Sequence, residues 1–244
     1  MNALRRNALF VAPVLLSLAV WPVLAQAATS GSGRSVTETR SVADFQAITV
    51  AGSMDVVVRQ GTQLLQVQAD DNLLPLLETT VESTKQGATL VVRWTRGASV
   101  HPRTPLRLTI TVPKLSALVA SGSGDFQLEA FTTAALLVSL SGSSDAKLNG
   151  LSTEDLSIRI AGSGDVSGTG SATKLSVNIA GSGDVKLADL RADDVDVQIA
   201  GSGDALVNAQ KTLNVRIAGS GDVSYVGNAT LKSKVAGSGS VSRR

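Results

Sequence analysis

The chain has 244 residues, of which 43% are hydrophobic and only 3% aromatic, and it contains no cysteine. Disulfides, thiolate nucleophiles and cysteine metal ligands are therefore excluded. Lys and Arg number 22 against 20 Asp and Glu, and this near balance gives no support to a general role in nucleic-acid binding.

The first 27 residues have the pattern of an export signal. Arg5 and Arg6 form a basic start, residues 8–24 are an apolar run, and Ala25-Gln26-Ala27 is a small-x-small cleavage site. The alternative is a transmembrane anchor, but two prolines in the run and the cleavage motif favour a removed leader. We therefore expect an exported protein of the periplasm or the cell exterior, with no transmembrane anchor in the mature chain.

Charge is unevenly distributed along the rest of the chain. Residues 83–124 contain no acid, whereas residues 125–222 carry 13 acids against 7 bases. A basic part and an acidic part favour docking on each other or self-association between molecules, although two solvated faces without a partner explain the pattern equally well.

One turn-forming phrase recurs through the second half of the chain. Its last residues lie 20, 20, 19, 20, 18 and 18 positions apart, and a fixed period near 20 is typical of a solenoid. The six complete copies each end in an aspartate: Asp125, Asp145, Asp165, Asp184, Asp204 and Asp222. A seventh copy ends in Ser240 instead.

The residues before each phrase alternate between apolar and polar, as in Leu156-Ser-Ile-Arg-Ile160. This period of two predicts a β-strand. Coils of about 20 residues with short strands and sharp corners predict an all-β, parallel β-helix, whose coils stack about 4.8 Å apart. A meander of antiparallel hairpins is the rival, because glycine-rich turns also make hairpins.

The predicted organisation has four parts. A cleaved signal peptide (1–27) and a flexible linker (28–35) precede a β-rich N-terminal part (36–118), which caps a continuous repeat solenoid (119–244). Within the cap, Ala51-Gly-Ser-Met-Asp55 is an early copy of the repeated phrase.

The chain resembles a bacterial family of unknown function described as putative autotransporter adhesin, head GIN domain. The resemblance begins with Phe45-x-x-Ile48-x-Val50, continues through Val112-Pro113-x-Leu115 and includes the repeats, so that it spans about residues 36–240. It implies a right-handed parallel β-helix in an exported protein.

The repeated aspartates are the main candidates for chemistry. As turn-formers they would accept hydrogen bonds from nearby backbone N–H groups or from the serine hydroxyl. As a ladder of carboxylates they would form a weak cation site, although the nine-residue calcium repeat is absent. Pairs of them would also span the separations that glycosidases use, but six equivalent groups do not single out a catalytic pair.

Two further features are candidates for ligand contact. Trp94, flanked by Arg93 and Arg96, would stack on a sugar or aromatic ligand, or else pack as an ordinary strand residue. Two outward rows would form a flat polar grid for an extended polymer or a protein, or else a solvated sheet face. The rows consist of Arg159, Asn178, Gln198, Arg216 and Lys234, and of Ser157, Ser176, Asp196, Asn214 and Lys232.

No coherent catalytic set, cofactor site or metal site emerges from the sequence. We therefore predict a non-enzymatic structural or adhesive module of the cell envelope, with an envelope polysaccharide or protein as partner. The alternative is a carbohydrate-binding or carbohydrate-cleaving β-helix.

Overall fold

The computed structural model describes residues 28–244, and the expected signal peptide lies outside the described residues. In the described part, strands dominate, and one 3-10 turn (Leu74–Leu76) but no α-helix is present. The N-terminal strands are β1 (Thr29–Ser30), β2 (Ser35–Arg40), β3 (Ala47–Ala51), β4 (Asp55–Gln60), β5 (Leu64–Asp70), β6 (Leu77–Thr84), β7 (Gly87–Trp94), β8 (Val100–His101) and β9 (Arg107–Val112). The repeat strands are β10 (Ala117–Gly122), β11 (Asp125–Glu129), β12 (Thr132–Gly142), β13 (Asp145–Gly162), β14 (Val166–Gly181), β15 (Val185–Gly201), β16 (Ala205–Gly219), β17 (Val223–Val226), β18 (Thr230–Gly237) and β19 (Val241–Arg243).

Every pairing between repeat strands is parallel, and the register follows the sequence repeat. Leu156 lies opposite Leu175, which lies opposite Val195, and Leu213 and Leu231 continue the same column. Equivalent residues about 20 positions apart therefore lie above one another. The predicted parallel solenoid is confirmed, and the antiparallel meander is excluded.

The long strands bend at corners, so that each contributes to more than one side of the coil. We call face A the side formed by residues 155–162 and the residues that pair with them in neighbouring coils. We call face B the side formed by residues 145–148 and their partners. The phrase with the repeated aspartate is the corner that leads from face A of one coil to face B of the next.

The inward residues of the two faces fill the solenoid. Val177, Val197 and Val215 are at most 1% exposed, and the apolar residues two positions before and after each of them are at most 2% exposed. Burying one such aliphatic side chain stabilises the fold by about 1.5–3 kcal/mol. The column of apolar residues thus provides the main stabilisation that a chain without disulfides requires.

The N-terminal part belongs to the same sheet and is interleaved with the repeats. Strand β3 pairs in parallel with β10 on face A, and β4 pairs with β11 on face B. Ala51 lies opposite Ser121, and the Oγ atoms of Ser53 and Ser123 are 2.8 Å apart. The early copy of the phrase is therefore adjacent to the first later copy in space, although 70 residues separate them in the chain.

Antiparallel strands close the N-terminal end. On the far side of β3 lies β7, which β6 covers in antiparallel fashion. On the far side of β4 lies β9, which β5 and then β2 cover in the same way. The expected β-rich cap is confirmed, and the change from parallel to antiparallel pairing marks the end of the regular stack.

Residues 28–35 differ from the flexible linker that the sequence suggested. Thr29 and Ser30 pair in parallel with Val100 and His101 as β1 and β8. The Asp70 carboxylate then accepts the Gly33 N–H at 2.7 Å. This segment is held in place because the buried Asp70 carboxylate requires hydrogen-bond donors. The composition of the segment does not indicate this contact.

Candidate functional site

The glycines of the repeated phrase let successive coils approach closely at the corner. Gly201 has a φ of +141°, which L side chains rarely adopt. A Cβ atom there would lie 2.1 Å from the Gly181 carbonyl oxygen of the preceding coil. At Gly203, a Cβ would lie 2.1 Å from the Gly183 oxygen. Glycine at both positions allows this close approach, which explains why the first glycine recurs in every copy of the phrase and the second in all copies except those with Met54 and Ser144.

The aspartates that follow these glycines connect one coil to the next. In each case an Oδ1 atom accepts the backbone N–H of the equivalent residue one coil later. The donor–acceptor pairs are Asp165 to Asp145 (2.8 Å), Asp184 to Asp165 (2.9 Å), Asp204 to Asp184 (3.0 Å), Asp222 to Asp204 (2.8 Å) and Ser240 to Asp222 (2.7 Å). We call this series the aspartate ladder. Within the described part of the chain, Asp145 is its first acceptor.

The ladder fills a gap in the backbone hydrogen bonds at the corner. On one side of the gap, the Ser182 N–H donates to the Gly162 oxygen, and on the other side the Val166 N–H donates to the Asp184 oxygen. Between them, the Asp184 N–H has the Asp165 carboxylate as its acceptor. The Asp165 side chain thus takes the place of the backbone carbonyl that would accept this N–H in a regular sheet, and its negative charge strengthens the hydrogen bond.

Ser240 shows what the end of the ladder requires. Its backbone N–H and its hydroxyl both donate to the Asp222 Oδ1 atom, at 2.7 and 2.8 Å. A serine at this position therefore supplies two donors to the carboxylate of the coil below.

Stacked carboxylates repel one another, and one lysine offsets part of this cost. At a separation of about 5 Å, two unit charges repel by about 0.8 kcal/mol in water. The Lys186 Nζ atom lies 3.1 Å from an Asp165 oxygen and 3.6 Å from an Asp184 oxygen. The hydrogen bond to Asp165, together with the charge of that residue, raises the pKa of Lys186 above its ordinary value.

The geometry of the aspartate ladder bears on the two other roles considered for it, a cation site and a catalytic pair of carboxylates. One oxygen of each acceptor aspartate is already committed to a backbone N–H, which leaves Oδ2 for other partners. Within residues 28–244, no group of three or more His, Asp or Glu side chains is arranged to hold a metal ion. Because the rungs repeat one contact, none of them stands apart as half of a catalytic pair.

Trp94 and its two arginines do not form a joint platform. The Arg93 side chain forms salt bridges with Glu78 at 2.9 Å and Glu82 at 3.3 Å. Trp94 is half-buried and packs against the core, while Arg96 is exposed in the turn after β7. The strand alternation that separates Arg93 from Trp94 sends these neighbours to opposite sides of the sheet.

The outward rows of face A have the register that the sequence suggested. Arg159 lies opposite Asn178, followed by Gln198, Arg216 and Lys234 in successive coils. We call this set the basic row. The parallel row consists of Ser157, Ser176, Asp196, Asn214 and Lys232. A groove of about 380 Å³ runs beside the basic row, between its side chains and an outward row of alanines.

A second, more polar depression lies at the corner before face A. It has a volume of about 540 Å³, and its lining includes Thr133, Thr153, Glu154, Arg191 and Asp193. The sequence analysis did not single out these residues. Their recurrence at the repeat period was the sequence signal that could have found this depression, since Thr133 lies opposite Thr153 in the next coil.

The comparison with protein families decides the family. The model of the family described as "Putative auto-transporter adhesin, head GIN domain" matches residues 44–229. The chain belongs to this family. The matched range of this head GIN domain includes the early copy of the phrase in the cap and the six corners that carry an aspartate.

Solved structures share the fold of this head GIN domain. A putative adhesin from Bacteroides fragilis has 25% sequence identity and a TM-score of 0.83, with 88% of this chain and 99% of that chain covered. A "Putative lipid binding protein" from Parabacteroides distasonis has 26% identity and a TM-score of 0.74, with coverage of 89% and 100%. A putative adhesin from Parabacteroides merdae, at 24% identity, a TM-score of 0.71 and coverage of 88% and 98%, shares the fold.

No curated protein matches the sequence. Among residues 28–244, no helix is long and apolar enough to cross a membrane. The family and its adhesin relatives support a structural or adhesive module.

Proposed function

We propose that this head GIN domain is an exported, non-enzymatic β-solenoid that serves as a structural or adhesive module of the cell envelope. The observation that carries the proposal is the strict register of the outward rows. Each coil adds one more residue to the same row, so the surface is long and repetitive. Such a surface suits an extended partner, an envelope polysaccharide or a protein, better than a single small molecule.

The use of the carboxylates supports a non-enzymatic role. Catalysis by two carboxylates requires a pair whose environments differ, so that one is an acid and the other a base or nucleophile. In the aspartate ladder, the same atom of each acceptor binds the same kind of backbone donor. Coil stacking therefore accounts for five of the six aspartates, Asp145 to Asp222, which act as acceptors between coils.

The sequence of residues 1–27 supports export. Its basic start, apolar run and small-x-small motif are the three features of a secretory signal. Removal after Ala27 would leave the mature chain beginning beside β1, which starts at Thr29. The names of the adhesin relatives agree with a location at or outside the envelope, and we propose the periplasm or the cell exterior for this chain.

Cell fractionation combined with protease shaving of intact cells tests the location. We expect the protein outside the cytoplasm, shortened by the leader, and a variant lacking residues 2–27 is the matched control that should stay in the cytoplasm. Recovery of the unshortened, full-length protein from the cytoplasm would contradict export.

Incubation with a panel of envelope and extracellular polysaccharides tests the non-enzymatic role. We expect no turnover of any polymer. Turnover that disappears in one Asp→Asn variant of the ladder, while the fold is retained, would overturn the proposal, because it would show that one rung acts in catalysis.

A further inference from the structure

We infer that face A binds an extended acidic polysaccharide, which lies along the rod axis against the basic row. This inference rests on the proposed binding role and names the chemical class of the partner. The basic row combines three cations with two amides and contains no acid. Its members are Arg159, Asn178, Gln198, Arg216 and Lys234.

Two of the cations have no acidic partner in the fold. Within residues 28–244, neither Arg159 nor Lys234 forms a salt bridge, although most other arginines on regular strands do. Arg216 lies 3.3 Å from an Asp196 oxygen, which also leaves most of its guanidinium donors free for another acceptor. Cations that the fold does not neutralise are available to the carboxylates of a ligand.

The neighbouring rows preserve this positive character. In the adjoining row of face A, Asp196 is the single acid and Lys232 adds another cation. On the other side of the groove lies the outward alanine row, and beyond it a row of exposed serines. These rows are Ala161, Ala180, Ala200, Ala218 and Ala236, and Ser163, Ser182, Ser202, Ser220 and Ser238. The short alanine side chains form the other wall of the groove and leave the cations and amides accessible.

The dimensions favour a polymer over a single sugar. Five coils at about 4.8 Å each place the outer members of the basic row about 19 Å apart. Each exposed ion pair contributes at most about 1 kcal/mol. A ligand must therefore engage several coils at once to bind well, as a chain with repeated charges does.

The backbone of the three central strands of face A is not available for pairing with a peptide strand. Strands β14, β15 and β16 are paired on both sides over the length of this face. Their N–H and C=O groups are consequently occupied, and a peptide strand cannot be added there. Recognition must proceed through side chains, which offer N–H donors to carboxylates and hydroxyls.

Nucleic acid is a polyanion too, but the face lacks the features that hold exposed bases. Single-stranded nucleic acid is usually bound with the help of aromatic side chains that stack on the bases. On face A, the rows beside the groove consist of cations, amides, alanines and serines, with no aromatic residue among the described positions. Their chemistry suits carboxylates and hydroxyls on a sugar chain.

Polygalacturonate and its methyl ester form a matched pair of probes, because esterification removes the charge and keeps the sugar backbone. Affinity measurement with the full purified protein should show about tenfold tighter binding of polygalacturonate, and added salt should reduce the difference. Oligomers shorter than the groove should bind more weakly than long chains. Equal binding of the two polymers would overturn the inference.

Matched triple variants locate the site. R159Q/R216Q/K234Q should weaken polygalacturonate binding about tenfold. K114Q/K147Q/R191Q removes the same charge from exposed positions off the basic row and should stay within about twofold of the native protein. An equal loss in both triple variants would show non-specific charge attraction. Tighter binding of single-stranded DNA than of polygalacturonate, lost in the first triple variant only, would assign face A to nucleic acid instead. Either result overturns the inference.

The uncharged variant Ala200→Leu provides a second measure. It narrows the groove from an exposed strand position, so the melting temperature should be unchanged while the affinity for polygalacturonate falls. Unchanged affinity would contradict docking in the groove. If the protein adheres to cells and the first triple variant adheres equally well, the proposed adhesive role stands and only this site is wrong.

Discussion

The repeat coils and the N-terminal cap are held together in different ways. In the repeats, each residue contacts its own counterparts above and below, as the aspartate ladder shows. In the cap, unlike residues that are distant in the chain meet once, as when the Arg40 Nη2 atom donates to the Leu74 oxygen at 2.6 Å. A substitution in the repeats should therefore disturb two neighbouring coils, whereas the effect of a substitution in the cap should remain local.

The largest effect is expected from Gly201→Ala. The new Cβ would lie 2.1 Å from the Gly181 oxygen, and the backbone would also keep a φ that alanine disfavours. Separating two coils at a corner should cost on the order of 4 kcal/mol or more, or prevent folding. Chemical denaturation followed by circular dichroism measures this loss.

Gly33→Ala in the N-terminal segment is the matched control. Gly33 has a φ of +85°, but no atom lies within 4 Å of the site where its Cβ would be. The cost should therefore be backbone strain alone, about 1–2 kcal/mol. Equal losses in the two variants would show that close coil stacking is not what demands glycine at the corners.

Asp70 is the point at which the cap should respond to acid. It is fully buried, and burial opposes its ionisation, but the N–H groups of Thr104, Arg103 and Gly33 donate to it and hold its pKa below the ordinary value. A folded-state pKa below the unfolded one contributes stability that is present above the unfolded pKa and is lost as the pH falls through the folded one. We expect the protection of the amides in residues 29–34 against hydrogen exchange, relative to their intrinsic rates at each pH, to fall first on acidification.

Asp70→Asn separates charge from hydrogen bonding in this region. Asn offers one acceptor oxygen, whereas the native carboxylate uses Oδ1 for Gly33 and Oδ2 for Arg103 and Thr104. The variant should show low protection of the amides in residues 29–34 already at neutral pH, with little further loss of protection in acid. An acid response that persists in the variant would assign it to another group.

Asp184 tests a single rung of the ladder. Asp184→Ala removes the acceptor for the Asp204 N–H, and this lost hydrogen bond should cost about 1 kcal/mol, or roughly 2–4 °C in melting temperature. Asp184→Asn keeps an acceptor oxygen but loses the charge, which weakens the hydrogen bond and the exposed contact with Lys186 and also relieves repulsion from neighbouring aspartates. Its net cost should be less than about 0.5 kcal/mol. Thermal melts of the two variants decide whether the acceptor or the charge matters more.

The register of the repeats was predictable because stacked coils of nearly equal length produce a repeat of the same period in the sequence. The spacing of the phrase placed Arg159, Asn178 and Gln198 in one row, and the pairing of β13, β14 and β15 agrees. The interleaved cap was harder to foresee. One early copy of the phrase indicated a related corner, but nothing in a single strand reveals that β7 and β9 lie outside β3 and β4.

The direction of the aspartate hydrogen bonds was also beyond the sequence. A glycine-rich turn before Asp184 indicates that its side chain accepts a hydrogen bond from a backbone N–H. In such turns the donor usually lies within a few residues of the aspartate. In the structure, the acceptor serves the next coil instead, since the Asp184 carboxylate accepts the backbone N–H of Asp204.

The smallest expected effect is that of calcium. If the ladder carboxylates serve as acceptors between coils, titration with calcium should leave the melting temperature unchanged, because Oδ1 of each acceptor rung is already bound to an N–H. Bound cation would raise the melting temperature by mass action. A rise that survives Asp70→Asn but disappears in Asp204→Asn would show that the repeats, and not the cap, hold a cation, and the ladder would then have a second role.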